Sequence, residues 1–472
     1  MSGVDLTIEA AVAATGGTLL RGGPARFAGV AIDSRRVQRG QAFVAIAGDR
    51  FDGHDYWHQA AQLGAVLLVM QRPPQGELPS DVALLVVSST RAALGQLARA
   101  WRREVDPTTV AITGSVGKTT TKELTRALVA LLGATHSNPG NFNNDIGLPL
   151  TLLSMARATR YLVVEMGMNA PGEIAHLAEL ARPQVGVVTS VAPVHLEGLG
   201  SVQAVAEAKG ELLRGLPPGG WAVVPGDESL LVPSLASVPA QRCVRFGEAA
   251  RDEVQIVEAT SRGEAGSRVR LMLGREEVAF DLPLVGAHNA RNAAAAAGAA
   301  LVLGLAPSRM GHALESIDPA CLTHRSSLRR VGHWRLFDDC YNSNPVATRA
   351  ALDTLTALAR GEGAVAVLGD MLELGDEAER YHLELGGHAA AARLDLLVTV
   401  GSLGATIARG ALRAGMPDER VVHVEDPEGA AEAVQRKAAP GAWVLVKGSR
   451  GARLERVIEA LSGTGSGREN SE

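Results

Sequence analysis

The residues with the clearest chemistry are Thr113-Gly114-Ser115-Val116-Gly117-Lys118-Thr119-Thr120. Glycines at these spacings let backbone N–H groups turn toward a phosphate. A lysine there reaches the β- and γ-phosphates, and the hydroxyl after it suits Mg²⁺. Gly114, Ser115, Val116, Gly117, Lys118, Thr119 and Thr120 are therefore the expected cradle for Mg-ATP. Ile112 stands where the longer Walker pattern carries glycine, so this is the short GxxGKT form. An ordinary glycine-rich turn between strand and helix is the competing reading.

Other groups gain meaning from this loop. Glu165 closes the apolar run Tyr161-Leu162-Val163-Val164 and can hold the Mg²⁺ of ATP, or cap a nearby helix. His195 lies just past the run Val185 to Thr189, on the same expected rim. A lone histidine is more often structural than a ligand, so its case depends on the groups around it. Lys209, in Glu207-Ala208-Lys209-Gly210-Glu211, reads by itself as a solvated helix lysine. Asn138 to Gly147 holds four asparagines, among them Asn143 and Asn144. That density suits a loop folded over a polar ligand, and also a turn-rich connector.

Placing these groups requires strands that deliver them to one edge. Short apolar runs alternate with helical patterns, the signature of an α/β fold with mainly parallel sheets. Three domains are expected, at 1–105, 106–318 and 319–462, followed by a disordered tail at 463–472. The first block holds strands near Val30–Asp33, Ala42–Ile46, Ala65–Met70 and Ala83–Val87, then a helix from Arg91 to Arg103. The second opens with Thr109–Ile112, and its helix runs from Lys118 to Leu132. Its further strands are Leu162–Glu165 and Val185–Thr189, followed by a helix near Ala204–Leu213. Residues 240–285 read as an excursion or a sheet edge, and a helix follows His288. The third block has strands near Arg335–Asp338, Ala364–Leu368, Leu396–Val400 and Trp443–Val446.

Composition removes several classes. The net charge of -5 gives no basic surface for a nucleic-acid backbone. Aromatics at 3% supply too few stacking platforms for single strands. Cys243, Cys321 and Cys340 form no CxxC pair, so neither a disulfide framework nor a zinc site is expected, and buried or half-buried thiols are. Met1 to Asp5 carries no signal-peptide pattern, and no apolar run is long enough to span a bilayer. A cytoplasmic protein is expected.

Together these residues resemble the Mur ligase family, which adds amino acids or a dipeptide to the cell-wall precursor, over nearly the whole chain. Asp33-Ser34-Arg35 and Gly48-Asp49-Arg50-Phe51-Asp52-Gly53-His54 look like its N-terminal UDP-sugar domain. Gly286-Ala287-His288-Asn289-Ala290-Arg291-Asn292 is similar to its adenine-contacting GxHNxxN segment. His324-Arg325 and Asp338-Asp339-Cys340-Tyr341-Asn342-Ser343-Asn344-Pro345 resemble C-terminal segments that close on ATP, with Ser343 in place of the usual alanine. Leu368-Gly369-Asp370-Met371-Leu372-Glu373-Leu374-Gly375 and Val446-Lys447-Gly448-Ser449-Arg450 resemble the branch that adds the terminal dipeptide. No DNPR segment of the third-residue branch is present.

The resemblance implies a small UDP-binding domain, a central P-loop domain and a Rossmann-like C-terminal domain. It implies nucleotide contacts from Asn289, Asn292, Arg325 and Asp339, the last to the ribose. Ser34, Arg35, Asn143 and Asn144 would face substrate. Lys118, His195, Lys209 and Arg325 would take part in catalysis, and Thr119, Glu165, His195 and Lys209 in holding two Mg²⁺ ions. Lys209 would carry a carbamate made from CO₂. UDP-MurNAc-tripeptide and D-Ala-D-Ala would be the small-molecule substrates of a monomer, joined through an acyl phosphate. The rivals are a sister ligase, such as a folylpolyglutamate synthase or the third-residue enzyme, and a P-loop regulatory ATPase.

Overall fold

The structure, a computed structural model, describes residues 3–48, 50–361 and 363–463. The tail expected at 463–472 lies outside the described residues from position 464, as does Asp49. The strands form sheets of two, five, nine and six.

The nine-stranded sheet positions the phosphate loop. Its strand Thr108–Thr113 lies between Val185–Val188 and Tyr161–Glu165, parallel to both. Val110, Ala111 and Ile112 are wholly buried, as expected of a parallel strand covered on both faces. The carboxyl ends of these three strands emerge on one rim, which brings Gly114, Glu165 and Thr189 together. One side of the sheet is covered by the helices Lys118–Ala130 and His288–Val302. The second is lined by alanine: Ala293 to Ala297, Ala299 and Ala300 are all buried. Small side chains let the backbones approach. A β-carbon at Gly298 would already lie 3.1 Å from Val223 Cγ1.

Residues 240–285 form this sheet's edge. Cys243–Gly247 and then Val254–Ser261 join in parallel, and Ser267–Leu273 and Glu276–Leu282 continue antiparallel. The sheet is thus mixed, not parallel throughout.

The five-stranded sheet runs Thr18–Arg21, Ala83–Val86, Leu67–Met70, Ala42–Val44, Val30–Ala31, and only its first pairing is antiparallel. The strand expected to reach Asp33 stops at Ala31. Asp33 Oδ1 instead accepts the Arg35 N–H at 3.0 Å and starts a short 3₁₀ turn. The helix Thr90–Val105, capped by Ser89, links this sheet to the next. Its buried Trp101 donates to Met155 O at 3.1 Å. Its buried Arg102 donates to Ala181 O at 2.9 Å and to Pro107 O and Arg182 O at 3.3 Å.

The six-stranded sheet is parallel through Trp334–Asp338, Trp443–Lys447, Ala364–Gly369, Leu396–Val400 and Val421–Val424, with Ser327–Val331 antiparallel at one edge. Cys340 is buried and Cys243 half-buried, whereas Cys321 is exposed rather than tucked in. Among the described residues no helix is long and apolar enough to cross a membrane.

Candidate active site

A cavity of about 800 Å³ opens on the carboxyl rim of the nine-stranded sheet. Its wall takes Arg91 from the linking helix, the loop Gly114–Thr120, and Arg325, Asp339 and Lys447 from the last third of the chain.

The loop must curve tightly, and two glycines allow it. Gly114 has φ 149° and Gly117 φ 84°, conformations that side chains rarely adopt. A β-carbon would sit 1.9 Å from Thr189 Oγ1 at the first and 2.1 Å from Asn292 Oδ1 at the second. The loop is also tied to the neighbouring strand's exit. Val116 N donates to Ser190 Oγ at 3.0 Å, and Thr189 Oγ1 donates to Val116 O at 2.5 Å. Ser115 exchanges hydrogen bonds with Ala192. Lys118 Nζ folds back onto Gly114 O at 2.7 Å. Burial pushes its amine below the usual lysine value, nearby Glu165 opposes that shift and Arg325 adds to it.

Glu165 is 1% exposed. Its carboxylate accepts from Thr119 Oγ1 at 2.6 Å and from Asn143 Nδ2 at 2.7 Å. Asn138, from the same amide-rich segment, accepts the Glu165 backbone N–H at 2.9 Å. Among the described residues no cation stands within ion-pair distance of this carboxylate. A buried carboxylate held only by a hydroxyl and an amide is a hard oxygen donor short of positive charge, which is the donor set Mg²⁺ takes.

Lys209 corrects the solvated-lysine reading. It is 2% exposed and lines the cavity. Burial, then the charge of Lys118, pushes its amine well below the usual value. Among the described residues nothing hydrogen-bonds it. A neutral amine is the form that adds CO₂, and the anionic product would face Lys118, so the residues fit a carbamate.

His195 also lines the cavity. Its Nδ1 meets Glu373 Oε2 at 2.5 Å. The carboxylate accepts, so Nε2 is the ring nitrogen left for a ligand.

Arg325 projects from a turn whose flanking residues, His324 and Ser326, are both left-handed at φ 56° and 53°. His324 Nδ1 donates to buried Asp338 at 2.8 Å, which steadies that turn. The Cys340 thiol donates to the same carboxylate at 3.1 Å, and burial followed by the Asp338 charge pushes its pKa far up. The Arg325 guanidinium sits 3.8 Å above the Tyr341 ring.

Other expected groups are engaged elsewhere. Asp339 accepts Lys447 Nζ at 2.6 Å and Ser326 N at 2.9 Å. Asn289, 2% exposed, is no part of the wall. It accepts Asn292 Nδ2 at 2.9 Å and so orients Asn292, which is. Asn144 lines the cavity and also accepts Gly147 N at 2.8 Å, at the start of the helix Gly147–Leu153. Ser34 and Arg35 are not brought to the cavity. Ser34 donates to Gln59 at 2.6 Å, and Arg35 pairs with Asp33 at 2.8 Å.

Three stretches match known family descriptions. Residues 26–102 match the Mur ligase family catalytic domain, 112–300 the Mur ligase middle domain, and 324–450 the Mur ligase glutamate ligase domain. The chain belongs to the Mur ligase family. A relative from Bacillus subtilis, a UDP-N-acetylmuramoyl-tripeptide–D-alanyl-D-alanine ligase, is 36% identical and covers 92% of this chain and 93% of its own. One of the same name from Escherichia coli is 35% identical, covering 94% and 96%. Among solved structures, MurF from Acinetobacter baumannii has a TM-score of 0.88 at 29% identity, covering 98% and 100%. MurF ligase from Thermotoga maritima, in complex with ADP, has 0.79 at 28%, covering 93% and 98%.

Sequence reasoning gives this Mur ligase no role for Glu373, Lys447 or Arg91. The first two lie inside segments that carry the family likeness, which is signal enough to single them out. Arg91, on the linking helix, pairs with Asp145 of the asparagine-rich loop, at 2.9 Å to Oδ1, and no short-range pattern announces that.

Proposed function

We propose that this Mur ligase joins D-Ala-D-Ala to UDP-MurNAc-tripeptide with ATP, through an acyl phosphate, in peptidoglycan precursor synthesis. The carrying observation is one cavity that combines a phosphate loop, a buried carboxylate without a cation and an arginine from the far end of the chain. The choice of substrates follows the two relatives so named, which match more than nine-tenths of the chain.

A carboxylate is a poor electrophile and must be activated. Its oxygen attacks the γ-phosphorus of ATP, the bond to the β-γ bridging oxygen breaks, and ADP leaves. The amine of D-Ala-D-Ala then attacks the acyl carbon. The amide forms, inorganic phosphate departs and the amine gives up a proton. Both steps crowd negative charge, which Lys118 and Arg325 offset. Mg²⁺, when bound, supplies further neutralisation. Thr119, Glu165, His195 and a carbamylated Lys209 would hold two such ions. The loop's backbone N–H groups, set by Gly114 and Gly117, orient the phosphates, and Asn292 lies beside them. Asp339 would reach the ribose once freed from Lys447. Ser34 and Arg35 would hold the UDP end, away from the reacting carboxylate, with Asn143 and Asn144 nearer to it.

We assign the reaction to the cytoplasm, where ATP is available, and to a monomer. Sedimentation at twice the monomer mass would overturn the latter. We take residues near 105 and 318 as domain limits and expect limited proteolysis to cut there first. The C-terminal part should close further on substrate, which an unchanged scattering profile with ATP analogue and tripeptide would refute. The carbamate should give a ¹³C signal from ¹³CO₂ that Lys209→Met lacks. A signal surviving that change would place the carbamate elsewhere.

The chemistry is tested with ¹⁸O in the tripeptide's terminal carboxylate. One label should pass to inorganic phosphate. Unlabelled phosphate beside pentapeptide product would rule out the acyl phosphate.

A further inference from the structure

His195 can serve a metal only if its ring is held with Nε2 toward the cavity. Nothing on its own sheet does this. The ring's one hydrogen-bond partner among the described residues is Glu373, 178 positions later in the chain, at 2.5 Å.

The segment bearing Glu373 is built to deliver it. Met371 N donates to buried His382 Nε2 at 2.9 Å, and Leu372 N to Ser449 Oγ at 2.9 Å. Met371 and Leu374 are buried on either side. Glu373 itself is left-handed, at φ 64°, and so is His195, at φ 54°. Its carbonyl accepts Glu197 N at 3.2 Å, and Gly375 packs against Glu197. Two strained non-glycine residues therefore meet across two sheets. Strain of this kind persists where the surroundings over-determine it, and it clusters at functional sites. The ion pair is a weak reason for it: the two side chains are 23% and 54% exposed, so solvent screens them.

We propose that Glu373 is a positioning residue that fixes the His195 ring for metal ligation. It is the carboxylate behind a metal-ligating histidine, supplied by a different sheet from the ligand itself. The contact exists only while the six-stranded and nine-stranded sheets are seated together, so docking of the C-terminal part completes the metal site. This rests on the reading of His195 as a ligand.

The test compares Glu373→Ala, Glu373→Gln, His195→Ala and the Glu373→Ala/His195→Ala double variant. The readout is Mn²⁺ binding in the presence of ADP, by electron paramagnetic resonance, without turnover. Glu373→Ala should weaken the affected Mn²⁺ by roughly 10- to 100-fold. Glu373→Gln, which keeps an oxygen acceptor, should recover most of it. The double variant should match His195→Ala, because both changes remove one function. Unchanged Mn²⁺ binding in Glu373→Ala, or additive losses in the double variant, would overturn the proposal. A wild-type protein that binds Mn²⁺-ADP but makes no amide would count against the ligase reading and leave this one standing.

Discussion

Replacing Gly117 by alanine should damage nucleotide binding by an amount the structure sets. Two costs add. Holding an L-residue at φ 84° costs about 1–2 kcal/mol. The new β-carbon would lie 2.1 Å from Asn292 Oδ1, so that amide must move. Asn292 is 7% exposed and donates to Asn289 at 2.9 Å, and losing one such bond costs about 1 kcal/mol. The sum is roughly 2–3 kcal/mol, or about 30- to 150-fold in an equilibrium constant. If the loop relaxes in the free protein, the cost appears as weaker nucleotide binding. If it cannot relax, it appears as lost stability, at roughly 2–4 °C per kcal/mol for a unit of this size. Calorimetric titration with ADP and a thermal melt together capture both. Gly219→Ala is the control. That glycine has the same φ of 84° with nothing within 4 Å, so it should lose about 1–2 kcal/mol of stability and no affinity. Nucleotide affinity within about twofold of wild type, together with an unchanged melt, would refute this reading of the loop.

Asn143→Ala strips the amide from Glu165 Oε1 and should raise the Mg²⁺ needed for half-maximal activity roughly 10- to 100-fold, read from a Mg²⁺ titration. An unshifted titration would separate Asn143 from the metal site. Arg102→Met removes the guanidinium donor from the carbonyls of Ala181 and Arg182, and one of the two donors to Pro107 O, and should cost about 1–3 kcal/mol in a denaturant melt. It should leave kcat/KM alone, and a lost kcat at unchanged stability would contradict a purely structural role. Asp52 is held at a pKa of about 2: burial raises it, and hydrogen bonds from His54 and Arg72 outweigh that. Its contribution to stability is therefore complete above the unfolded value of 3.8 and is lost as pH falls through about 2. Asp52→Asn should flatten the fall of melting temperature across that window, and parallel curves would show that the carboxylate is not responsible.

The phosphate loop is legible in the sequence because its backbone demands glycine at the positions where its chemistry demands N–H groups. The rim is legible too, since Leu162 to Val164 and Val185 to Val188 are short, valine-rich apolar runs of the kind a buried parallel sheet takes. Thr135–Ser137 is not, because three polar-leaning residues at a sheet edge carry no apolar period. Lys209 misleads for a related reason. Its glutamate neighbours suggest a wet helix face, and only packing shows that Ala208, Lys209 and Leu212 point inward together. The Asn-rich loop signals polar work without saying which, and the structure divides it between Glu165 support by Asn138 and Asn143 and helix initiation by Asn144. The His195–Glu373 contact joins residues from two sheets, and no local rule relates them.

The central claim is that phosphate transfer from ATP is coupled to amide formation between two specific partners. Phosphate release should be measured with Mg-ATP, UDP-MurNAc-tripeptide and D-Ala-D-Ala, omitting each in turn, with the product weighed by mass spectrometry. The account predicts sustained release only when all three are present, together with a UDP-MurNAc-pentapeptide. Release indifferent to both peptide components would contradict it.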